Sequence, residues 1–119
     1  MRSTLYWIFP LLLTLSACTP HTSSGDWRAT TSDALFERLQ VRFDGTAEFF
    51  TKTEDETAAW RCFWGAENKQ TAGLTCIDAN DENNEKQYEL HVDKEKQDAV
   101  LKLDNLEIGR YRWQTPLDL

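Results

Sequence analysis

The chain has 119 residues and carries 20 aspartate and glutamate residues against 13 lysine and arginine residues, for a formal net charge of -7. Because nucleic-acid binding relies on clustered cations that displace phosphate counterions, this acidic balance argues against nucleic acid as a partner. The length suits a single ordinary domain.

The N-terminus has the layout of an export signal. Arg2 precedes an apolar run over residues 5–15, which only Pro10 and Thr14 interrupt. A transmembrane helix needs roughly 20 apolar residues, so this shorter run is typical of a signal peptide. Removing residues 1–17 removes one charged group, Arg2, and changes the formal charge from -7 to -8.

The segment Leu15-Ser16-Ala17-Cys18 resembles the lipobox of bacterial lipoproteins, in which a leucine and two small residues precede the cysteine that receives diacylglycerol. The resemblance implies cleavage after Ala17 and a lipid, with acyl chains such as palmitate, on Cys18. The next residue influences sorting in such lipoproteins, and Thr19 implies the outer membrane, where we expect the domain on the periplasmic face. In a source without an outer membrane, the cell membrane takes its place. The alternative is an ordinary signal peptide with an incidental Cys18.

Residues 18–24 are mostly threonine, serine and proline with one histidine, and they predict a flexible tether. We expect a single β domain over residues 25–115, which begins at Gly25-Asp26-Trp27. Residues 32–37 are compatible with one short helix capped by Ser32 or Asp33.

Apolar and polar residues then alternate with a period of two on both sides of Asp44-Gly45, which is a strong hairpin signal because glycine accepts positive φ. The alternation places Phe49 and Phe50 on opposite faces. The apolar positions of this hairpin are Leu39, Val41, Phe43, Ala47 and Phe49.

The two cysteines outside the signal, Cys62 and Cys76, predict a disulfide in an exported protein. Residues 57–64 and 73–77 read as strands, and a hairpin turning near Lys69 places the cysteines opposite each other. Such a bond stabilises the fold by roughly 3 kcal/mol in the chain-entropy model. A metal site or free thiols are the alternatives.

The remaining chain continues the pattern of short strands. An acidic connection over residues 53–56, an acidic loop over residues 80–85 and a charged turn over residues 94–97 separate alternating segments. The pattern favours an all-β antiparallel meander, closed as a barrel or folded as a β-sandwich. The apolar positions of these segments are Tyr88, Leu90, Val92, Ala99, Leu101, Leu103, Leu106, Ile108, Tyr111 and Trp113.

Three stretches resemble small lipocalin-like domains: Gly25-Asp26-Trp27, the hairpin from Leu39 to Thr46, and Arg110-Tyr111-Arg112-Trp113. In lipocalins a Gly-x-Trp opens the first strand and an arginine near the end of the barrel packs across that tryptophan. The resemblance implies a lipocalin-like barrel in which Trp27 takes the first part and Arg110 or Arg112 the second. The strands are shorter and the chain smaller than in a full lipocalin, and fold alone does not define function.

The residues do not indicate catalysis. Outside the signal, serine occurs only at positions 23, 24 and 32, which leaves no serine on a predicted rigid elbow. His91 is expected to face solvent on its strand, and no cofactor is expected. The series Asp78, Asn80, Glu82, Asn84 and Glu89 loosely follows a calcium loop, but Asn83 replaces the required glycine, so we predict a solvated acidic turn and no metal.

Aromatic residues supply the candidate binding surface. Trp60, Cys62 and Trp64 share one strand face and Phe63 lies on the other, so one face is expected to be exposed or to line a cavity. The candidate ligand or partner residues are Trp27, Trp60, Trp64, Arg110 and Arg112.

Two functions remain. The first is a membrane-anchored, non-enzymatic binding or envelope-structural module, which takes a small apolar ligand inside the barrel or an envelope protein outside it. The second is an inhibitor or immunity-like lipoprotein that blocks a cationic envelope enzyme such as lysozyme through acidic loops. The chain lacks the Ser-Gly-x-Arg-Tyr stretch associated with lysozyme inhibitors. A roomy cavity favours an internal ligand, whereas a packed interior with exposed acidic protrusions favours the inhibitor.

Overall fold

Eight β-strands form the domain in the computed structural model, which describes residues 21–51, 57–95 and 97–115. Each strand pairs antiparallel with the next, and the last pairs with the first, so the sheet closes as a barrel. The predicted all-β barrel is therefore confirmed, and the sandwich alternative is wrong. The strands are β1 (Gly25–Ala29), β2 (Arg38–Val41), β3 (Thr46–Phe50), β4 (Trp60–Asn68), β5 (Thr71–Asp78), β6 (Asp81–Val92), β7 (Asp98–Leu103) and β8 (Leu106–Thr115).

The period of two sorts side chains between the barrel interior and its outer face. In β5 the side chains of Ala72, Leu74 and Cys76 are buried, while those of Thr75 and Ile77 between and after them are more exposed. The register of the strands pairs inward-facing residues of one strand with inward-facing residues of the next. Leu39 pairs with Phe49, and Phe49 pairs with Trp60. Local alternation thus becomes a continuous apolar interior when the strands align.

The first hairpin turns at Asp44-Gly45 as predicted. Gly45 has a φ of 95°, and the Asp44 carboxylate accepts hydrogen bonds from the backbone amide and the hydroxyl of Thr46. Strand β2 ends at Val41, however, so Phe43 lies in the turn and its side chain is 60% exposed. Its predicted place in the alternating strand pattern is wrong.

The cysteine hairpin is confirmed in its register and its turn. Cys62 pairs with Cys76, the disulfide forms with Cα atoms 4.0 Å apart, and the chain turns at residues 69–70. Strand β4 begins at Trp60, three residues later than predicted, and both strands extend closer to the turn than predicted. Most of the polar stretch over residues 66–71 belongs to β4 and β5, because backbone pairing holds residues 66–68 in β4 although their side chains face solvent.

The acidic stretch at residues 80–85 differs from the predicted loop. Only Ala79 and Asn80 form the turn, and β6 begins at Asp81. Acidic residues are tolerated there because their side chains are on the exposed part of the strand. The predicted turn at residues 94–97 lies between β6 and β7, and the predicted connection at residues 53–56 lies outside the described residues.

The short helix expected at residues 32–37 is wrong. The segment forms turns and bends, and the amides of Leu35 and Glu37 donate to the carbonyls of Ile108 and Phe50. The Glu37 amide, which a helix capped at Ser32 or Asp33 needs for an internal hydrogen bond, thus pairs with β3 instead. In the described part of the chain, no helix is long and apolar enough to cross a membrane.

The folded part begins earlier than predicted. Ser23 is 0% exposed and Ser24 is buried, although both were expected in a flexible tether. Residues 1–20, with the predicted signal and Cys18, lie outside the described residues.

The two ends of the barrel receive separate names. The N-terminal rim comprises the described residues of 21–24, 42–45, 69–70 and 93–97. The distal rim comprises the described connections at residues 30–37, 51, 57–59, 79–80 and 104–105.

Candidate functional site

Large side chains fill the barrel interior. A cavity that holds a ligand leaves accessible surface on the side chains around it, yet the largest inward side chains have almost none. The described interior is therefore packed, as in other small barrels whose side chains meet at the axis. These fully buried side chains include Trp27, Tyr111, Phe36, Phe49, Leu39, Leu74, Leu90 and Leu101.

An aromatic cluster closes the interior near the distal rim. Phe36 enters from the connection between β1 and β2, and its ring centroid lies 4.9 Å from that of Phe49 and 6.0 Å from that of Tyr88. Trp60 packs edge-on against Tyr88, with ring centroids 6.3 Å apart. Burial raises the pKa of the Tyr88 phenol to about 12. The cluster is therefore apolar packing with an un-ionised phenol.

Tyr111 ties the same cluster to the barrel wall. Its hydroxyl donates a 2.6 Å hydrogen bond to the carbonyl of Phe36, and burial raises the pKa of this phenol well above its usual value. A Cβ atom at Gly109 would lie 2.8 Å from the Tyr111 ring. Glycine at this position therefore leaves the space that the ring occupies.

The five predicted surface residues do not come together. Trp27 is fully buried inside the barrel, and its indole donates a 2.8 Å hydrogen bond to the carbonyl of Ser23. Trp60 lies in the distal cluster, whereas Trp64 lies near the N-terminal rim and donates to the carbonyl of Arg42 at 2.7 Å. The three tryptophans thus serve as core and rim packing at different heights of the barrel.

The expected arginine cover on Trp27 is wrong. Trp27 pairs with Trp113 and Arg28 pairs with Arg112, so Arg112 lies on the outer face opposite to the Trp27 side chain. Arg112 forms a 3.1 Å ion pair with Asp98. Arg110 is also exposed, and its two hydrogen bonds with Glu107 raise the pKa of the guanidinium.

The outer face of β3, β4 and β5 carries a concavity of about 790 Å³, which we call the Phe63 groove. Phe63 is 68% exposed, and its same-face neighbours across the sheet are Thr46 and Thr75. The groove extends from the N-terminal rim to the turn between β5 and β6. Its lining residues are Arg42, Asp44, Thr46, Ala47, Glu48, Arg61, Cys62, Phe63, Ile77, Asp78, Ala79 and Glu82.

Charge in the Phe63 groove is mixed, with an acidic excess. The Glu48 carboxylate accepts a 2.7 Å hydrogen bond from the Arg42 guanidinium and lies 3.9 Å from that of Arg61. One negative charge thus partly neutralises two positive charges. The hydrogen bonds from Thr46 hold the pKa of Asp44 below its usual value. With Asp78 and Glu82, the lining contains four carboxylates against two guanidinium groups.

Phe63 itself was partly foreseeable. Alternation with Trp60, Cys62 and Trp64 placed it on the opposite face of β4, and this assignment is confirmed. The groove around it was missed because Glu48 and Ile77 reach it from other strands. Phe50, the other outward aromatic considered, is buried beneath Arg38, whose guanidinium lies 4.2 Å from the ring centroid.

The remaining titratable candidates form ordinary surface contacts. His91 lies on the outer face beside Glu89, with 3.1 Å between Nε2 and Oε1. Asp78 accepts the amide of Asn80 at 2.8 Å and the side-chain amide of Asn84 at 3.4 Å. Across the described ranges, no group of three or more histidine, cysteine, aspartate or glutamate side chains is arranged to hold a metal ion.

Comparison with protein-family models, with curated protein sequences and with solved structures finds no match for this chain.

Proposed function

We propose that this chain is an exported lipoprotein, cleaved after Ala17 and lipidated on Cys18, that binds a protein partner at the periplasmic face of the outer membrane. The domain acts without catalysis, as a binding module. The Leu15-Ser16-Ala17-Cys18 segment supports the anchor, because its order suits lipid transfer to the thiol before cleavage.

The observation that carries the binding role is a packed interior beside an exposed aromatic groove. An internal apolar ligand has no space among the described interior side chains, whereas the exposed ring of Phe63 lines a concave surface. Exposed aromatic residues in pockets are typical anchors of protein interfaces. The two-carboxylate excess of the lining favours a partner with a basic segment and an apolar side chain.

A photo-cross-linking amino acid in place of Phe63 tests this role in intact cells. We expect one discrete cross-linked species, because the ring position lies within the interface. The matched control carries the same amino acid at Leu106, which is 70% exposed on the distal side of the barrel. Cross-linking at position 106 alone, or at neither position, contradicts a partner on the Phe63 groove.

The anchor has a separate test. Mass spectrometry of the protein from the membrane fraction is expected to find acyl chains on an N-terminal Cys18, and Cys18→Ser is expected to prevent the modification. A mature protein that begins at an unmodified Cys18 contradicts the lipid anchor and leaves an ordinary signal peptide as the explanation.

A cationic envelope enzyme such as lysozyme is the second candidate, favoured by the acidic excess of the groove. The purified soluble domain, without residues 1–17 and with Cys18→Ser, is expected to inhibit such an enzyme in a salt-dependent manner. Phe63→Lys is expected to weaken the inhibition. Equal enzyme activity with and without the domain contradicts this candidate.

A further inference from the structure

Residues 21–24 are tied to the barrel by side-chain and backbone hydrogen bonds. The Nε2 atom of His21 donates to the carbonyl of Asn68 at 2.6 Å, and its Nδ1 atom accepts the amide of Ser23 at 3.1 Å. The hydroxyl of Thr22 donates to the carbonyl of Lys69 at 2.8 Å. The chain is therefore attached to the N-terminal rim from His21 onward.

This attachment limits the distance between the barrel and any lipid on Cys18. Only Thr19 and Pro20 separate Cys18 from His21. Since an extended chain spans at most about 3.6 Å per residue, the Cα atoms of Cys18 and His21 lie within about 11 Å of each other. A lipid on Cys18 thus holds the N-terminal rim close to the bilayer surface.

The two rims differ in the charge and the exposed aromatic residues that they present to a bilayer surface. The described residues of the N-terminal rim carry three cations and three carboxylates, together with the exposed ring of Phe43. The described distal connections carry carboxylates and no lysine or arginine. The charged N-terminal residues are Arg42, Lys69, Lys94, Asp44, Asp93 and Glu95, and the distal ones are Asp33, Glu37 and Asp104.

We propose that the N-terminal rim rests on the bilayer, with Phe43 in the headgroup region and the acidic distal rim directed away from the membrane. The orientation depends on the lipid anchor of the proposed function. An aromatic side chain suits the membrane interface, and an anionic headgroup layer repels the distal carboxylates more than the balanced N-terminal rim. The Phe63 groove then extends away from the bilayer along the side of the barrel.

Two variants of the full, lipidated protein, each with one added cysteine, test the orientation. Phe43→Cys and Leu106→Cys place a fluorophore at exposed apolar positions on opposite ends, and Cys62 and Cys76 are already joined. Each labelled protein is reconstituted in phosphatidylethanolamine and phosphatidylglycerol vesicles with a headgroup-attached spin label as quencher. We expect several-fold stronger quenching at position 43 than at position 106.

Vesicle flotation separates failure of the orientation from failure of the anchor. Flotation of the unsubstituted protein together with equal quenching at both positions overturns the orientation alone. If the unsubstituted protein does not float, the anchor is wrong and the orientation with it. Insertion of about twelve glycine and serine residues between Pro20 and His21 is expected to reduce quenching at position 43, and unchanged quenching overturns the short tether as the cause.

Discussion

The two rims of the barrel are closed in different ways. At the distal rim, Phe36 enters the interior and packs against other aromatic rings. At the N-terminal rim, a polar segment is held by hydrogen bonds, and the indoles of Trp27 and Trp113 donate to the carbonyls of Ser23 and Ser24. One closure depends on buried apolar area and the other on backbone carbonyls, so the two are expected to differ in their contribution to stability.

Phe36→Ala gives the largest expected effect. Removal of this buried ring lowers the free energy of unfolding by about 4 kcal/mol, because it leaves a cavity in the distal cluster. Urea unfolding followed by tryptophan fluorescence measures the change. Leu35→Ala is the matched control, because Leu35 is next to Phe36 in the chain but its side chain is 53% exposed. This substitution is expected to change the free energy of unfolding little. Phe36→Leu, which keeps most of the volume, is expected to fold and to lose about 1 kcal/mol. Equal stability of Phe36→Ala and Leu35→Ala contradicts the aromatic closure.

The second-largest loss of stability is expected at alkaline pH, through the buried tyrosines near the distal rim. Tyr88 and Tyr111 are the only tyrosines outside residues 1–17, and burial raises the pKa of Tyr88 to about 12 and also that of Tyr111. An unfolded tyrosine ionises with a pKa of about 10, so above that pH the folded protein holds more protons than the unfolded chain. Stability is therefore unaffected by Tyr88 below about pH 10 and falls as pH rises toward about 12, by up to about 3 kcal/mol.

The free energy of unfolding, measured in urea across this pH range, checks the alkaline prediction. Tyr88→Phe is the control, because it removes one ionisable phenol while keeping the ring. We expect a shallower decline in this variant. An identical pH profile in Tyr88→Phe assigns the loss of stability to other groups.

Tyr111→Phe isolates the hydrogen bond that fixes the distal connection. Loss of the hydroxyl leaves the buried carbonyl of Phe36 without this donor and is expected to lower the free energy of unfolding by about 2 kcal/mol. Hydrogen exchange of the amides at residues 35 and 37 is expected to accelerate, because the connection opens more often. Unchanged exchange together with unchanged stability shows that the Tyr111 hydroxyl is not needed to hold the connection.

His21→Ala tests the N-terminal rim and is expected to have a smaller effect than Phe36→Ala or Tyr111→Phe. The variant loses the bond to Asn68 and the contact with Trp64, and a loss of about 1 kcal/mol is expected because His21 is only partly buried. Faster hydrogen exchange of the Trp27 indole is the specific readout. Thr22→Val removes one exposed bond and is expected to have less effect. If the Trp27 indole exchanges its hydrogen equally fast in the wild type and in His21→Ala, residues 21–24 do not close this rim.

The candidate site was predictable only in part. Alternation within β4 separates Phe63 from Trp60 and Trp64, because adjacent side chains on a strand point to opposite faces. The groove depends on the alignment of three strands, which brings Glu48 and Ile77 beside Arg61. Register of this kind is not encoded by any one segment. The expected contact of Trp27 with Arg110 or Arg112 failed for the same reason.

The sequence by itself determined the features that arise from local chemistry. Period-two alternation specified the strands, Asp44-Gly45 specified the first turn, and the placement of two cysteines around a polar turn specified the disulfide. Tertiary structure alone decided between barrel and sandwich and assigned Phe36 and residues 21–24 to the two rims. Those outcomes depend on hydrogen bonds and packing between segments far apart in the chain, such as Tyr111 with Phe36 and His21 with Asn68.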